Sequence, residues 1–243
     1  MRSLRFPDRS HGIIPAFLVG DGEKEVKSVL VALDATFAVL EEAERMGAEL
    51  IITHHPVIFH AMKEIHPDSI AFLAAQKGIA IISSHTCLDK TENGVSDCLA
   101  KTLELTNIRD GGDQLGVLRV GELREPLSCL NFVSYVADKL NTRGIKYIST
   151  ERPIKTVAVC GGAGEDFFEN AIQTGADAYV TGNIKHSFWI EMKRENFCVL
   201  DAGHFATENP AMKPLAESLA EHFSDVKIRL SEVSADPAEY WVK

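Results

Sequence analysis

Two adjacent histidines, His54 and His55, stand in the run ITHHPVIFH, directly after an apolar stretch. Farther along, SSHTCLD carries His85 and Asp89, and AGHFATE carries His204 and Glu208, each histidine four residues ahead of its carboxylate. Imidazole nitrogen and carboxylate oxygen are donors that divalent first-row cations take. Neighbouring residues on a strand point to opposite faces, so His54 and His55 do not easily chelate one ion from regular strand geometry. At a strand end between two ions they can serve one each. Ions about 3.5–4 Å apart typically share a bridging carboxylate or water. His54, His55, Asp89, His204 and Glu208 together offer three nitrogens and two carboxylates, a workable dinuclear set.

Each motif also has a blander reading. A lone His-His pair is commonly structural, and HxxxD or HxxxE occurs on many helices without function. The weight lies in their combination after three apolar runs, 49–53, 79–84 and 197–201. His85 is expected beside the ligands, as a catalytic proton carrier or as a group that orients Asp89. TGNIKH places Lys185 and His186 where an anionic substrate could meet them, although a solvated helix start explains them nearly as well. Asp34 and Asp201 also follow apolar runs and can support ligands, and Asp34 can equally cap a helix. GDGE (20–23) and CGGAGED (160–166) invite a phosphate-loop reading. CGGAGED fits neither GxGxxG nor the GKT/GKS pattern, so a tight strand-to-helix turn is preferred. His60, His66 and His222 read as surface histidines, and His11 is undecided. No GxSxG elbow or activated-cysteine motif is present, which makes covalent nucleophilic catalysis a poor fit.

The elements that must position these groups alternate in type. VKSVLVAL (26–33) predicts a strand, followed by a helix with Phe37, Leu40, Ala43 and Met46 on one face and Gly47 as its stop. ELIIT (49–53) and IAIISS (79–84) predict strands, with a helix between them from near Pro67 to Gly78. A helix is expected around 94–104, a strand at LGVLRV (115–120), and a helix from about Pro126 to Leu140. IKYIST, KTVAVCGG, DAYVTG and FCVLDAG then predict strands, separated by helices over 165–174 and 184–194. A long helix from Thr207 to about Phe223 leads to a last strand, VKIRL (226–230). This order predicts an α/β fold with largely parallel sheet.

The second half repeats the first. VLVAL (29–33) and GAELIIT (47–53) lie 128 residues before VAVCG (157–161) and GADAYVT (175–181). SSHTCLD (83–89) lies 119 before AGHFATE (202–208), so His85 and Asp89 fall on His204 and Glu208. Two pseudo-symmetric α/β lobes are expected, about 1–125 and 126–243, each offering a strand end that carries a histidine and a carboxylate. Functional groups in parallel sheets collect at the carboxyl ends of strands, where all five candidate ligands lie.

Composition narrows the classes. With 243 residues, 45% hydrophobic and 25% charged, the chain is long enough for a substantial core. Its net charge of -10 argues against general nucleic-acid binding. It leaves room for a small phosphate-bearing ligand, because bound cations reverse the local sign. No apolar run reaches membrane-spanning length, and MRSLRFPDRSHG lacks the apolar core of a secretory signal. Five widely spaced cysteines without a CxxC suit a reducing compartment, and cytoplasm is the expectation.

At these residues the sequence resembles the Nif-three-like dinuclear metal proteins, commonly labelled GTP cyclohydrolase 1 type 2 homologues. The matching segments are VLVALDAT (29–36), GAELIITHHPVIF (47–59), SSHTCLD (83–89), TGNIKH (181–186) and GHFATE (203–208). They extend from about residue 17 to the C-terminus. The resemblance implies an α/β fold of two similar lobes with a dinuclear metal site between them, its two divalent ions held by His54, His55, Asp89, His204 and Glu208, with Glu208 bridging. It also implies a ring-shaped homohexamer. Zinc, iron, manganese or nickel would all suit such donors. Metal-dependent hydrolysis of a nucleotide-like substrate is the implied activity. A non-catalytic metal-binding regulator or scaffold and a dinuclear phosphoesterase are the alternatives. The sequence departs from the family near HGIIPAFLVGD (11–21), which keeps only the Leu-Val-Gly ending, and it lacks the large inserted domain of longer members.

Overall fold

Apolar runs alternating with helical patterns predict βα units, and the computed structural model of the protein contains them. It describes residues 16–241, so His11 and the rest of the segment before Ala16 lie outside the described residues. The chain divides into two compact units, Met1–Leu88 with Met212–Ala235, and Asp89–Ala211 with Asp236–Lys243. This division differs from the expected one near residue 125, because the strands between Asp89 and Ala211, including those before residue 125, are hydrogen-bonded into the second sheet.

In the first unit the strands are β1 (Ala16–Val19), β2 (Ser28–Ala32), β3 (Leu50–Thr53), β4 (Ala80–Ser83) and β11 (Lys227–Leu230). They form one sheet in the order β1-β4-β3-β2-β11, parallel except for β1. Alternate side chains pack on opposite faces. Leu30, Ala32, Ile51 and Ile81 meet α1 (Phe37–Met46) and α2 (Ile70–Gln76), whereas Val29, Val31, Leu50 and Ile82 meet α9 (Met212–His222). Coverage of both faces explains why these strands are continuously apolar.

Helix α1 starts where Thr36 accepts from the Val39 amide and stops at Gly47, whose φ of 66° is left-handed. Its buried face is Val39, Leu40 and Ala43; Phe37, expected inside, is 54% exposed. Helix α2 begins three residues beyond Pro67, because the Ser69 hydroxyl caps the Phe72 amide.

The second unit holds β5 (Thr106–Asp110), β6 (Arg119–Leu127), β7 (Lys146–Ile148), β8 (Ile154–Ala163), β9 (Ala178–Gly182) and β10 (Cys198–Asp201). Their order is β5-β6-β8-β9-β10-β7. Only β8, β9 and β10 are mutually parallel, so the expectation of a largely parallel sheet fails here. One face packs on α4 (Val95–Thr102) and α5 (Cys129–Leu140), the other on α6 (Phe168–Gln173) and α7 (His186–Met192).

Three local expectations are corrected. LGVLRV is mostly a turn, because the Asp113 carboxylate gathers the amides of Leu115, Val117 and Leu118; only Arg119 and Val120 are strand. Helix α5 starts at Cys129 rather than Pro126, since Leu127 still pairs with Ile154. The long helix from Thr207 is broken into α8 (His204–Glu208), a 3₁₀ turn over Asn209–Ala211, and α9. Pro210 lacks the amide donor that a continuous helix needs and crowds the preceding turn.

Candidate metal centre

In the first unit β3 delivers His54 and His55 at its carboxyl end. Both backbone amides bond the Leu33 carbonyl, which continues the β2–β3 ladder past Thr53. His54 is fully buried and His55 partly so. His85 follows β4, one residue before the short helix α3 (Thr86–Asp89), whose last residue is the half-buried Asp89. Ligand-capable atoms of His54, His55 and His85 all lie within 4.8 Å of one another. Their ring centroids are 4.9 to 5.7 Å apart.

The tautomers of the first two rings follow from their contacts. His54 Nδ1 lies 3.1 Å from the Ser84 carbonyl oxygen, so Nδ1–H donates and the neutral ring keeps its lone pair on Nε2. His55 Nδ1 lies 2.8 Å from Asp34 Oδ1, which does the same for His55. A histidine that ligates metal commonly donates its other ring N–H to a carbonyl or carboxylate in this way. Asp34 is therefore a support for His55; the cap of α1 is Thr36.

Farther into the second unit, His204 and Glu208 sit on α8. Glu208 is 4% exposed, and its Oε2 lies 3.1 Å from His204 Nε2 across one helical turn. Asn183 places its side-chain amide 3.1 Å from His204 Nδ1. A half-turn of that amide presents oxygen to Nδ1–H and leaves the lone pair on Nε2 for an ion. The Thr207 hydroxyl accepts from the Gly162 amide and ties α8 to the end of β8. A Cβ on Gly162 would lie 2.1 Å from Glu208 Oε1, so only glycine allows this approach. Asp201 accepts from the amides of Asn183, Ile184 and Gly203, which organises the loops around His204.

These donors fit a divalent cation by chemistry: imidazoles, those of His54 and His55 with lone pairs assigned by their contacts, and carboxylates that are wholly or partly buried. Lys185 is exposed and pairs with the buried Glu165 carboxylate at 2.5 Å, which raises the affinity of its ammonium for its proton. His186 is exposed at the start of α7. His60, His66 and His222 are exposed, as expected. CGGAGED enters a 3₁₀ turn, Glu165–Phe167, in agreement with the tight-turn reading. Burial pushes the Cys160 thiol up to about 12 and Cys198 up as well, which makes both poor nucleophiles at neutral pH. Sequence reasoning missed Asn183. Its role depends on a contact with His204 that no local motif announces.

Residues 16–237 match the family described as Duf34/NIF3 (NGG1p interacting factor 3). The chain belongs to this family. A GTP cyclohydrolase 1 type 2 homolog of Clostridium perfringens is 33% identical over 234 residues, covering 92% of this chain and 89% of its own. One from a Nostoc species is 35% identical over 234 residues, covering 90% and 87%. Among solved structures, Staphylococcus aureus hypothetical protein SA1388 superposes with a TM-score of 0.86 at 26% identity, covering 93% of this chain and 92% of that one. The α/β fold expected for a Duf34/NIF3 member is thus present. No helix among the described residues is long and apolar enough to cross a membrane.

Proposed function

We propose that this Duf34/NIF3 protein holds two divalent metal ions with His54, His55, Asp89, His204 and Glu208, and hydrolyses a nucleotide-like substrate beside them. The observation that carries this reading is the convergence of His54, His55 and His85, with the first two rings held by Nδ1 so that Nε2 offers its lone pair. In this reading Glu208 is the bridging carboxylate. Zinc, iron, manganese or nickel at such a site would supply Lewis acidity and hydroxide at neutral pH.

The chain's own groups do the rest. His54 and His55 donate Nδ1–H to Ser84 and Asp34, and so keep their ligating orientation. His85, in contact with both rings, takes up or returns a proton at the substrate. Lys185 exchanges its Glu165 contact for a substrate phosphate, and His186 adds a second donor there. The printed name of the relatives makes GTP the first candidate substrate. A homohexamer in the cytoplasm completes the proposal; the described cysteines are free thiols, which agrees with a reducing compartment.

Elemental analysis of protein purified without added metal tests the ligand set. About two ions per chain are expected, with marked loss in Glu208→Ala and in the double variant His54→Ala, His55→Ala. Incubation with GTP then tests the chemistry. Product formation no greater than in the double variant would remove the hydrolase reading and leave a metal-binding protein.

A further inference from the structure

The segment that follows the histidine pair holds large apolar side chains in solvent. Phe59 is 67% exposed, Met62 44% and Ile65 58%. Val57 and Ile58, just before them, pack against the core of the first unit and anchor the segment. Three large apolar groups kept in water within seven residues mark a surface that binds something.

Phe59 is also tied to the candidate centre. Its ring stands edge-to-face with His85, centroids 6.0 Å apart, and with His60 at 5.1 Å. His85 in turn lies 5.0 Å from His54 and 5.7 Å from His55 by ring centroid. The edge-to-face contact restrains the swing of Phe59, while its exposure gives an incoming flat ring access to the phenyl group. The neighbouring groups are imidazoles, which hydrogen-bond the polar edge of a heteroaromatic ring and suit a purely apolar partner poorly.

We propose that Phe59 is the platform on which a purine base stacks at this site, with Met62 and Ile65 as the apolar margin of the same surface. This rests on the nucleotide-like substrate proposed above and adds the residue that selects for the base. Aromatic stacking tolerates different bases, because each presents a flat π-face. Phe59 accordingly favours ligands with a base over bare polyphosphate, and polar groups around it choose among bases.

The test is calorimetric titration of metal-loaded wild type, Phe59→Ala and Phe59→Trp with GTP, and with inorganic tripolyphosphate as the base-free probe. GTP affinity is expected to fall between about 5-fold and about 150-fold in Phe59→Ala. Phe59→Trp is expected to keep wild-type affinity and to gain tryptophan emission that GTP quenches. Tripolyphosphate affinity and metal content are expected to stay equal across the three proteins. Equal GTP affinity in wild type and Phe59→Ala would overturn the stacking role and leave the substrate reading standing. Failure of wild type to bind GTP would remove that reading and the stacking role together. A change of particle mass in Phe59→Ala by light scattering, with GTP affinity unchanged, would assign the segment to a subunit contact and overturn the proposal.

Discussion

In the first unit β3 runs from Thr53 into His54 and His55; in the second, β9 runs from Thr181 into Gly182 and Asn183. These positions correspond in register. Val29 pairs with Leu50 as Val157 pairs with Ala178, each 128 residues on, and the order β1-β4-β3-β2 reappears as β7-β10-β9-β8. Yet the chemistry sits on different parts of the two frames. The first unit carries imidazoles on the strand end, and the second carries His204 and Glu208 on the helix that follows β10. Sterics keep the second strand end clear. A Cβ at Gly182 would lie 2.7 Å from the Gly203 carbonyl carbon and the His204 nitrogen, so a histidine there would push α8 away. Gly162, the counterpart of Asp34, must likewise be small for Glu208 to approach. The duplicated frame thus offers strand-end imidazoles in one copy only, whereas the short helix after the next strand carries a carboxylate in both, Asp89 on α3 and Glu208 on α8.

The sharpest way to break the comparison is through the buried polar ties that hold each unit. In the second, Arg119 pairs with Asp97, both about nine-tenths buried, and also donates to the Gly116 carbonyl. Arg119→Ala leaves Asp97 as an uncompensated charge and should cost about 3–5 kcal/mol in urea unfolding. In the first, the Glu42 carboxylate accepts from the Ser231 hydroxyl and the Glu232 amide. Glu42→Ala should cost less, about 1.5–3 kcal/mol. A reversed order would mean that the second unit does not depend on its ion pair.

Gly162→Ala should come next. At φ 65° an alanine is strained by about 1–2 kcal/mol, and displacement of Glu208 adds about 1–3 kcal/mol of overpacking. Thermal unfolding should fall by several degrees and the Glu208 donor should be lost to metal. Asp34→Gly, the converse change in the first unit, should leave the melting temperature nearly unchanged, because the Asp34 side chain is 42% exposed. Equal melting shifts would deny the steric asymmetry between the units.

Asp34→Ala bears on affinity instead. Loss of the His55 Nδ1 partner should weaken metal binding by about 10- to 100-fold in a chelator competition, with the fold intact. Asn183→Ala should weaken it less, since a neutral amide supports His204 where a carboxylate supports His55. Identical losses would show that charge on the supporting group is immaterial.

Much of this frame was legible, and the exceptions have physical causes. Continuously apolar strands such as VLVAL and LIIT are recognisable because both faces are covered. TNIRD was missed as β5 because it is largely exposed and bulged, with Asn107 at φ 53°. The repeat holds its offset of 128 along β2 and β3, but the third match slips. Ser83 and Asp201 hold equivalent ladder positions beside Thr53 and Thr181, an offset of 118 (83 to 201) against 119 for the histidines. The extra residue falls in Ala202–Gly203, where Gly203 at φ 93° turns the chain into α8. Similar letters across SSH and AGH hid that insertion. The grouping of His54 and His55 with His85 was legible from spacing and strand ends. Asn183 was not, because its support of His204 arises from pairing at a distance.

The smallest expected effect concerns how each copy opens its first helix. Thr36 is extended and caps α1 through the Val39 amide, whereas its counterpart Gly164 offers no side-chain cap and leads into a 3₁₀ turn. A cap cannot be added there: a Cβ at Gly164 would lie 2.5 Å from both Thr181 Oγ1 and Tyr179 Oη. These two groups already bond the Gly164 amide and carbonyl. Thr36→Ala should therefore cost about 1 kcal/mol in urea unfolding, and Thr36→Gly only a few tenths, since glycine itself tolerates the cap position. If both variants unfold like the wild type, packing of Val39, Leu40 and Ala43 alone holds α1, and the cap is an incidental difference between the copies.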